Sequence, residues 1–199
     1  MLLPLWGKLS DRESAELAAK ICTLDFCYEN TLVRIVANRN CPEIKLAGLT
    51  VGPFDEGNEY EVHFWVAKEL ASAGLVHFRE EDLLDSRKLF QVQWKEGTQI
   101  PGQISELPDD FYPRLRRYLT ILKSEATVPE KISEYSKAQH LAKDVVNSRL
   151  RKIIALASAP GQGESVTKKL SDEERILYDQ LVKTISDWKS KILEPEGER

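Results

Sequence analysis

The chain has 199 residues, 42% hydrophobic and 30% charged, with a formal net charge of −4. That length suggests one full domain or two small ones. The acidic balance argues against a protein that lives on the phosphate backbone of nucleic acid, where a strong basic excess supplies the attraction. No stretch approaches 18 apolar residues, so a membrane-spanning helix is not expected. Met1–Leu9 has too short an apolar run, and no basic lead, to read as a secretion signal. The odd set Cys22, Cys27 and Cys41 fits a reducing compartment. Their spacing lacks the paired ligands of a zinc site, so they read as small apolar side chains.

Ser10-Asp11-Arg12-Glu13 reads as a capping box, opening a short helix from Asp11 to about Cys22. From Thr31 the period changes. Leu32–Ala37 is β-branched and reads as a strand, ended by Asn38-Arg39-Asn40. Glu43–Leu46 alternates and reads as a second strand, Leu49–Val51 as a short extended piece, and Phe54–Asn58 as turn chemistry. Glu59–Val62 alternates again. Phe64, Trp65, Ala67, Leu70 and Ala71 then give a helix stopped by Gly74, and Leu75–Phe78 a last strand. Such a unit is too small to be secure by itself, so it should lean on the rest of the chain.

The second half is helical. Glu81–Trp94 reads as a polar helix and 95–102 as a loop. Asp109 and Asp110 supply acids before a helix through Phe111, Leu115, Tyr118, Leu119 and Leu122, with Pro113 tolerated in its first turn. Pro129–Ser158 has no internal Pro or Gly after its first residue and predicts one helix of about 45 Å. Ser171-Asp172-Glu173-Glu174 predicts a capping box for the last helix. The apolar face of that helix carries Ile176, Leu177, Leu181, Ile185, Trp188 and Ile192.

The long helix organises the chain. On a wheel of about 100° per residue, Tyr135, Leu141, Ala142, Val145, Val146, Leu150, Ile153, Ile154 and Ala157 spread over about 220°. One buried face needs only about 100°. Two covers are therefore expected, one from the chain's own helices and one from another chain. Arg149 falls inside this arc. Either its stem is buried with the head in water, or it forms a buried or interface ion pair, which suits the forked donors of arginine.

The expected fold class is α+β: a small N-terminal β-rich domain followed by an all-α helical bundle domain. The expected divisions are an extension with a short helix (1–25), the β-rich domain (26–80), a connector helix and loop (81–102) and the helical domain (103–199).

Little in the sequence points to catalysis. His63, His77 and His140 are isolated, and no serine sits in a nucleophile elbow. The acid runs at Glu80–Asp82 and Asp172–Glu174 stand at helix starts, where they interact with the macrodipole. The 159–164 stretch lacks the preceding strand and the Gly-Lys-Ser/Thr of a phosphate loop. Arg114, Arg116, Arg117 and Lys123, beside Tyr112 and Tyr118, make a basic cluster that reads as a solvated or ion-paired face. The alternative is a DNA-binding factor using the basic helix 114–123.

Several runs together resemble a known family. They are Leu32-Val33-Arg34-Ile35-Val36, Glu43-Ile44-Lys45-Leu46-Ala47-Gly48, Val51-Gly52-Pro53-Phe54-Asp55-Glu56-Gly57 and Tyr60-Glu61-Val62-His63-Phe64-Trp65-Val66-Ala67. They resemble the β-rich domain of GINS subunits, in the archaeal type whose β domain precedes the helical one, the counterpart of the eukaryotic second and third partner-of-Sld-five subunits. Arg149-Leu150-Arg151-Lys152-Ile153, with Leu170, Glu174 and Tyr178, is similar to the family's helical domain. The resemblance spans about Phe26 to Leu193, and Met1–Asp25 precedes its usual start.

The resemblance implies a non-enzymatic scaffold subunit without cofactor or metal. It would support the MCM replicative helicase in DNA replication through protein–protein contacts. The implied partners are a second GINS subunit type in a 2:2 heterotetramer, MCM helicase, a RecJ-like DHH-family protein and, in some lineages, polymerase or primase. DNA contact would be indirect or weak, and the location cytoplasmic and nucleoid-associated. The residues expected at protein interfaces are Tyr135, Ala142, Val146, Arg149, Ile153 and Leu156 on the long helix, Leu177, Tyr178 and Leu181 on the last, and Trp65 in the β-rich domain.

Overall fold

The computed structural model describes residues 5–46, 48–98, 103–159 and 167–194, with side chains from residue 15 onward. The chain divides into two compact units: Cys22–Leu84, and Met1–Ile21 together with Asp85–Arg199. The fold class is α+β, with a small N-terminal sheet region followed by a helical bundle.

The Cys22–Leu84 unit holds β1 (Leu32–Ala37), β2 (Ile44–Leu46), β3 (Leu49–Val51), β4 (Glu59–His63), α2 (Phe64–Ser72) and β5 (Val76–Phe78). β1 is the middle strand of an antiparallel β4-β1-β5 sheet. Leu32 lies opposite His63 in one pairing, and Ile35 opposite Phe78 in the other. β2 and β3 form a separate hairpin. Alternate β1 side chains, Ile35 and Ala37, are buried. This follows from the two-residue period of a strand with one covered face. They join Val62, Val66, Ala67, Leu70 and Val76 in one core, so α2 lies on the sheet.

The Gly52-Pro53-Phe54 run has a physical reason. Gly52 sits at φ +88°, and a Cβ there would meet the Phe54 ring at 3.3 Å. Phe54 is buried and packs edge-on against Tyr60, their centroids 4.9 Å apart. Glycine is needed at position 52 both for its backbone conformation and for the approach of that ring.

The first helix, α1 (Leu5–Glu29), is longer than its caps predict. Ser10 lies inside it and not at its start, and the side chains of the expected box at Ser10–Glu13 lie outside the described ones. Within the Cys22–Leu84 unit its last turn places Tyr28 on Phe64, 5.2 Å between centroids, and Phe64 stacks on Phe78 at 5.3 Å. Tertiary packing of this aromatic trio carries the helix past Cys22 to Glu29.

In the other unit, α3 (Ser86–Gly97) starts later than the periodicity predicts, because the Asp85 side chain accepts from Lys88 N and caps it there. The first residues of the expected helix, at the end of the Cys22–Leu84 unit, form only a short 3-10 turn, Glu80–Asp82. Its end also differs: residues 95–97, read as loop, are helical. The helices α4 (Phe111–Glu125) and α5 (Pro129–Ser158) follow. Asp110 precedes α4 in a left-handed conformation, φ 53°, and makes no side-chain cap. Burial holds its carboxyl above the usual range, against the opposing pull of Arg114. The last helix, α6 (Asp172–Leu193), opens on the expected capping box, Ser171 and Glu174 bonding each other's backbone.

α5 packs against α3, α4 and α6. It buries Ala138, Ala142, Val145, Arg149, Ile153 and Leu156. Spacings of three and four keep these residues on one face. Ile153 and Leu156 share a core with Ile104 and Leu170, and Leu177, Tyr178 and Leu181 of α6 pack against it.

Candidate functional site

Position 149 of α5 faces the place where the end of α3 meets the start of α6. Arg149 is 1% exposed, Glu96 2% and Glu174 3%. Arg149 Nε donates to Glu174 Oε1 at 2.7 Å and Nη2 to Glu174 Oε2 at 2.5 Å. Nη1 donates to Glu96 Oε1 at 2.9 Å and to the Ser105 carbonyl at 2.5 Å, and Nη2 also reaches the Lys169 carbonyl at 3.5 Å. A guanidinium carries five N–H donors, and these five contacts use them all. Burial opposes the charge of Arg149; the Glu174 and Glu96 carboxylates outweigh that cost and hold its pKa above the ordinary value.

The carboxylates are satisfied in turn. Lys152 Nζ donates to Glu96 Oε2 at 2.6 Å, and the Ser105 hydroxyl donates to Glu96 Oε1. The Tyr112 hydroxyl donates to Glu174 Oε1 at 2.8 Å, and the Ser171 N–H to Glu174 Oε2 at 3.2 Å. Burial first, and the Glu174 charge second, push the Tyr112 phenol well above its usual range. Two cations face two carboxylates, so the cluster is neutral as a whole, which is what lets it exist out of water. It joins α3, the 103–108 segment, α4, α5 and α6. Closed to solvent and internally compensated, it can clasp helices but has no open position for a substrate.

Of the readings of Arg149 made from the sequence, the buried ion pair is the one the structure shows. The guanidinium does not snorkel, and its ion pairs lie within the chain and not across an interface. Its partners Glu96, Ser105 and Glu174 were missed, as were Lys152 and Tyr112, which bond those carboxylates. Glu96 fell in a stretch read as loop, and Glu174 was assigned only to its local cap. The available signal was Lys152, three residues beyond Arg149 on the same helix face, which together with Arg149 calls for more than one buried carboxylate.

The other residues singled out in the sequence separate by exposure. Ala142, Ile153 and Leu156 are covered by the chain's own helices, so they too face inward rather than toward a partner. Tyr135, Leu177, Tyr178 and Leu181 are half-buried, while Val146 and Trp65 are exposed. Val146, Leu150 and Ile154, all exposed, follow one another at four-residue spacing on α5. The wide apolar arc therefore resolves into a buried face and a second apolar stripe that is exposed among the described residues. Between α3 and α5 runs an open groove of about 500 Å³, with Gln93 and Gly97 on one wall and Asn147, Leu150 and Arg151 on the other. Phe90 and Trp94 of α3 are exposed as well.

Arg114, Arg116 and Arg117 are half-buried, and Arg116 pairs with Glu173 at 3.5 Å. His63 and His77 bond to the Asn30 carbonyl and the Asn38 side chain. Among the described residues no His/Cys/Asp/Glu group could hold a metal ion, and no helix is long and apolar enough to cross a membrane.

Comparison with known proteins agrees with this two-unit order. The GINS complex protein helical bundle domain matches residues 79–193, more than half of the chain. The chain belongs to the GINS family. The PSF2 N-terminal domain matches residues 20–76, ahead of the bundle. The human DNA replication complex GINS protein PSF2 is 26% identical over 152 residues, covering 75% of this chain and 77% of the human protein. These matches support a GINS subunit and do not mark it as the archaeal type.

Proposed function

We propose that this GINS-family chain is a non-catalytic scaffold subunit of the PSF2 kind, acting in DNA replication by holding other proteins in place. The observation that carries the reading is the uncovered stripe Val146, Leu150 and Ile154 on the central helix α5, whose opposite face is already filled by the chain's own helices. Exposed apolar surface organised along one helix is what a subunit interface leaves behind when the partner is removed. The partner is a second GINS subunit type, in the two-plus-two arrangement that the archaeal resemblance implies. The assembled complex supports the MCM helicase and meets a RecJ-like DHH-family protein and polymerase or primase. The clasp at Arg149 fixes the angles between α3, α5 and α6 and so the shape of the surface that the partner meets.

Co-expression with the other GINS-family chains of the same genome, followed by native mass spectrometry, tests this. Wild type is expected in a hetero-oligomer whose mass gives the stoichiometry. The Val146→Asp/Leu150→Asp variant is expected to lose that complex, weakening it more than about a hundredfold, as removal of central interface anchors does. A wild-type chain that stays a stable monomer at micromolar concentration beside its candidate partners, with an unchanged melt, would sink the proposal.

A further inference from the structure

Beside the closed clasp the bundle carries an open polar groove. Its volume is about 500 Å³, with Gln93 and Gly97 on the α3 wall and Asp144, Asn147, Ser148 and Arg151 on the α5 wall. Spacings of three and four put Phe90, Gln93 and Gly97 on one side of α3, and Asp144, Ser148 and Arg151 on one side of α5. Among the described residues, none of the five polar side chains has a hydrogen-bond or ion-pair partner. The clasp is the opposite case, with each of its charges paired. A Cβ added at Gly97 meets nothing within 4 Å, so a ligand can come close to the α3 backbone there. Phe90 and, one turn on, Trp94 are 53% and 62% exposed. The groove shares only Leu150 with the apolar stripe of α5.

We infer that this groove is a binding site for an extended peptide of a protein outside the GINS complex, in polyproline II conformation, with a basic and an acidic side chain three residues apart. A docking helix is the poorer fit, because its N–H and C=O groups are already paired within it. An extended chain brings one free donor and one free acceptor per residue. The Gln93 and Asn147 amides and the Ser148 hydroxyl can each donate and accept, so they match such a backbone. The charges set the spacing. Asp144 and Arg151 stand two turns apart on α5, about 10 Å. In polyproline II, side chains three residues apart share a face and are separated by about 9 Å. The peptide's base therefore meets Asp144 while its carboxylate takes the forked donors of Arg151. Phe90 and Trp94 offer the aromatic surface on which proline-rich segments dock.

The probe is a short fluorescein-labelled proline-rich peptide with Lys and Glu three positions apart. Its control has the same composition with the two charges adjacent. Fluorescence anisotropy with the full chain is expected to show saturable binding of the probe, at least about tenfold tighter than of the control. Asp144 and Arg151 are exposed, so Asp144→Lys and Arg151→Glu should melt as wild type. Each is expected to weaken the probe about tenfold or more, the effect of losing a charge-assisted hydrogen bond. Asp144→Lys is expected to bind instead the peptide in which Glu replaces Lys. Gly97→Phe, whose ring enters open space, is expected to block the groove and abolish binding. The co-expressed complex is expected to bind the probe as the free chain does. Equal affinity for probe and control, or charge variants within twofold of wild type, would refute the site. A probe excluded from the complex would assign the groove to a sister subunit and overturn the inference as well. The subunit role stands after either result, since it rests on the stripe of α5.

Discussion

Replacing Arg149 by alanine removes the cation that two buried carboxylates share. Glu96 keeps Lys152 Nζ at 2.6 Å and the Ser105 hydroxyl. Glu174 loses both arms of the guanidinium fork and is left with the Tyr112 hydroxyl and the Ser171 N–H. Glu174 is therefore the group that bears the loss, a charge 3% exposed with no cation bonded to it. Removing one member of a buried ion pair costs about 3–5 kcal/mol. That is a large share of the roughly 5–15 kcal/mol that holds a typical domain folded. The chain has two units, so a single global melt would blend them. Hydrogen exchange of the full chain separates them. Amides of α5 around Arg149 are expected to exchange faster in Arg149→Ala by about two to three and a half powers of ten, at about 1.4 kcal/mol per power. Amides of β1 in the Cys22–Leu84 unit are expected to be unchanged. Arg149→Lys should fall between, since it keeps the charge and loses the fork. The joint replacement Glu96→Leu/Arg149→Met/Glu174→Leu should recover much of the loss, because an apolar set leaves no carboxylate stranded. An Arg149→Ala effect below about 1 kcal/mol, the size of an exposed pair, would refute the clasp.

Two further tests probe the clasp and the β-rich unit. Tyr112 ionises near pH 10 in an unfolded chain but resists ionisation in the folded one, through burial and the Glu174 charge. Above that pH the folded state binds more protons than the unfolded state. This contribution to stability is whole below about pH 10 and is lost as pH rises past it. Tyr112→Phe should flatten the alkaline fall in urea midpoint while lowering stability at neutral pH by about 1.5–3 kcal/mol, the worth of a hydrogen bond to a charged group. An unchanged alkaline slope would count against the geometry. In the other unit, Gly52→Ala should cost more than Gly57→Ala in thermal melts. Both sit at positive φ, +88° and +81°, but only Gly52 has the Phe54 ring at 3.3 Å, whereas position 57 is open. Strain alone is about 1–2 kcal/mol, so equal losses would contradict the packing argument.

Family membership makes the exposed stripe on α5 the surface of most interest, because the Arg149 cluster is buried. The Arg149 cluster spends its polar groups on one another, and the exposed apolar side chains of α3, α5 and α6 remain for contact.

Much of the architecture is written in local pattern. The bounds of α5, the capping box at Ser171, the alternation of β1 and the Gly-Pro-Phe turn all depend on residues a few positions apart, where the backbone's own hydrogen bonding and steric limits act. The width of the apolar arc likewise showed that α5 has more than one apolar face. Local pattern failed where distance in the chain is large. α1 runs to Glu29 because Tyr28 packs on Phe64, thirty-six positions away by sequence number. Glu96 and Glu174 stand 53 and 25 positions from Arg149. Spacing along one helix cannot say which remote carboxylates will neutralise an arginine, nor which half of a 220° arc will be covered. Those choices were settled only when α3 and α6 closed on α5, since a buried charge is tolerable only where the fold has already brought its counter-charges within reach.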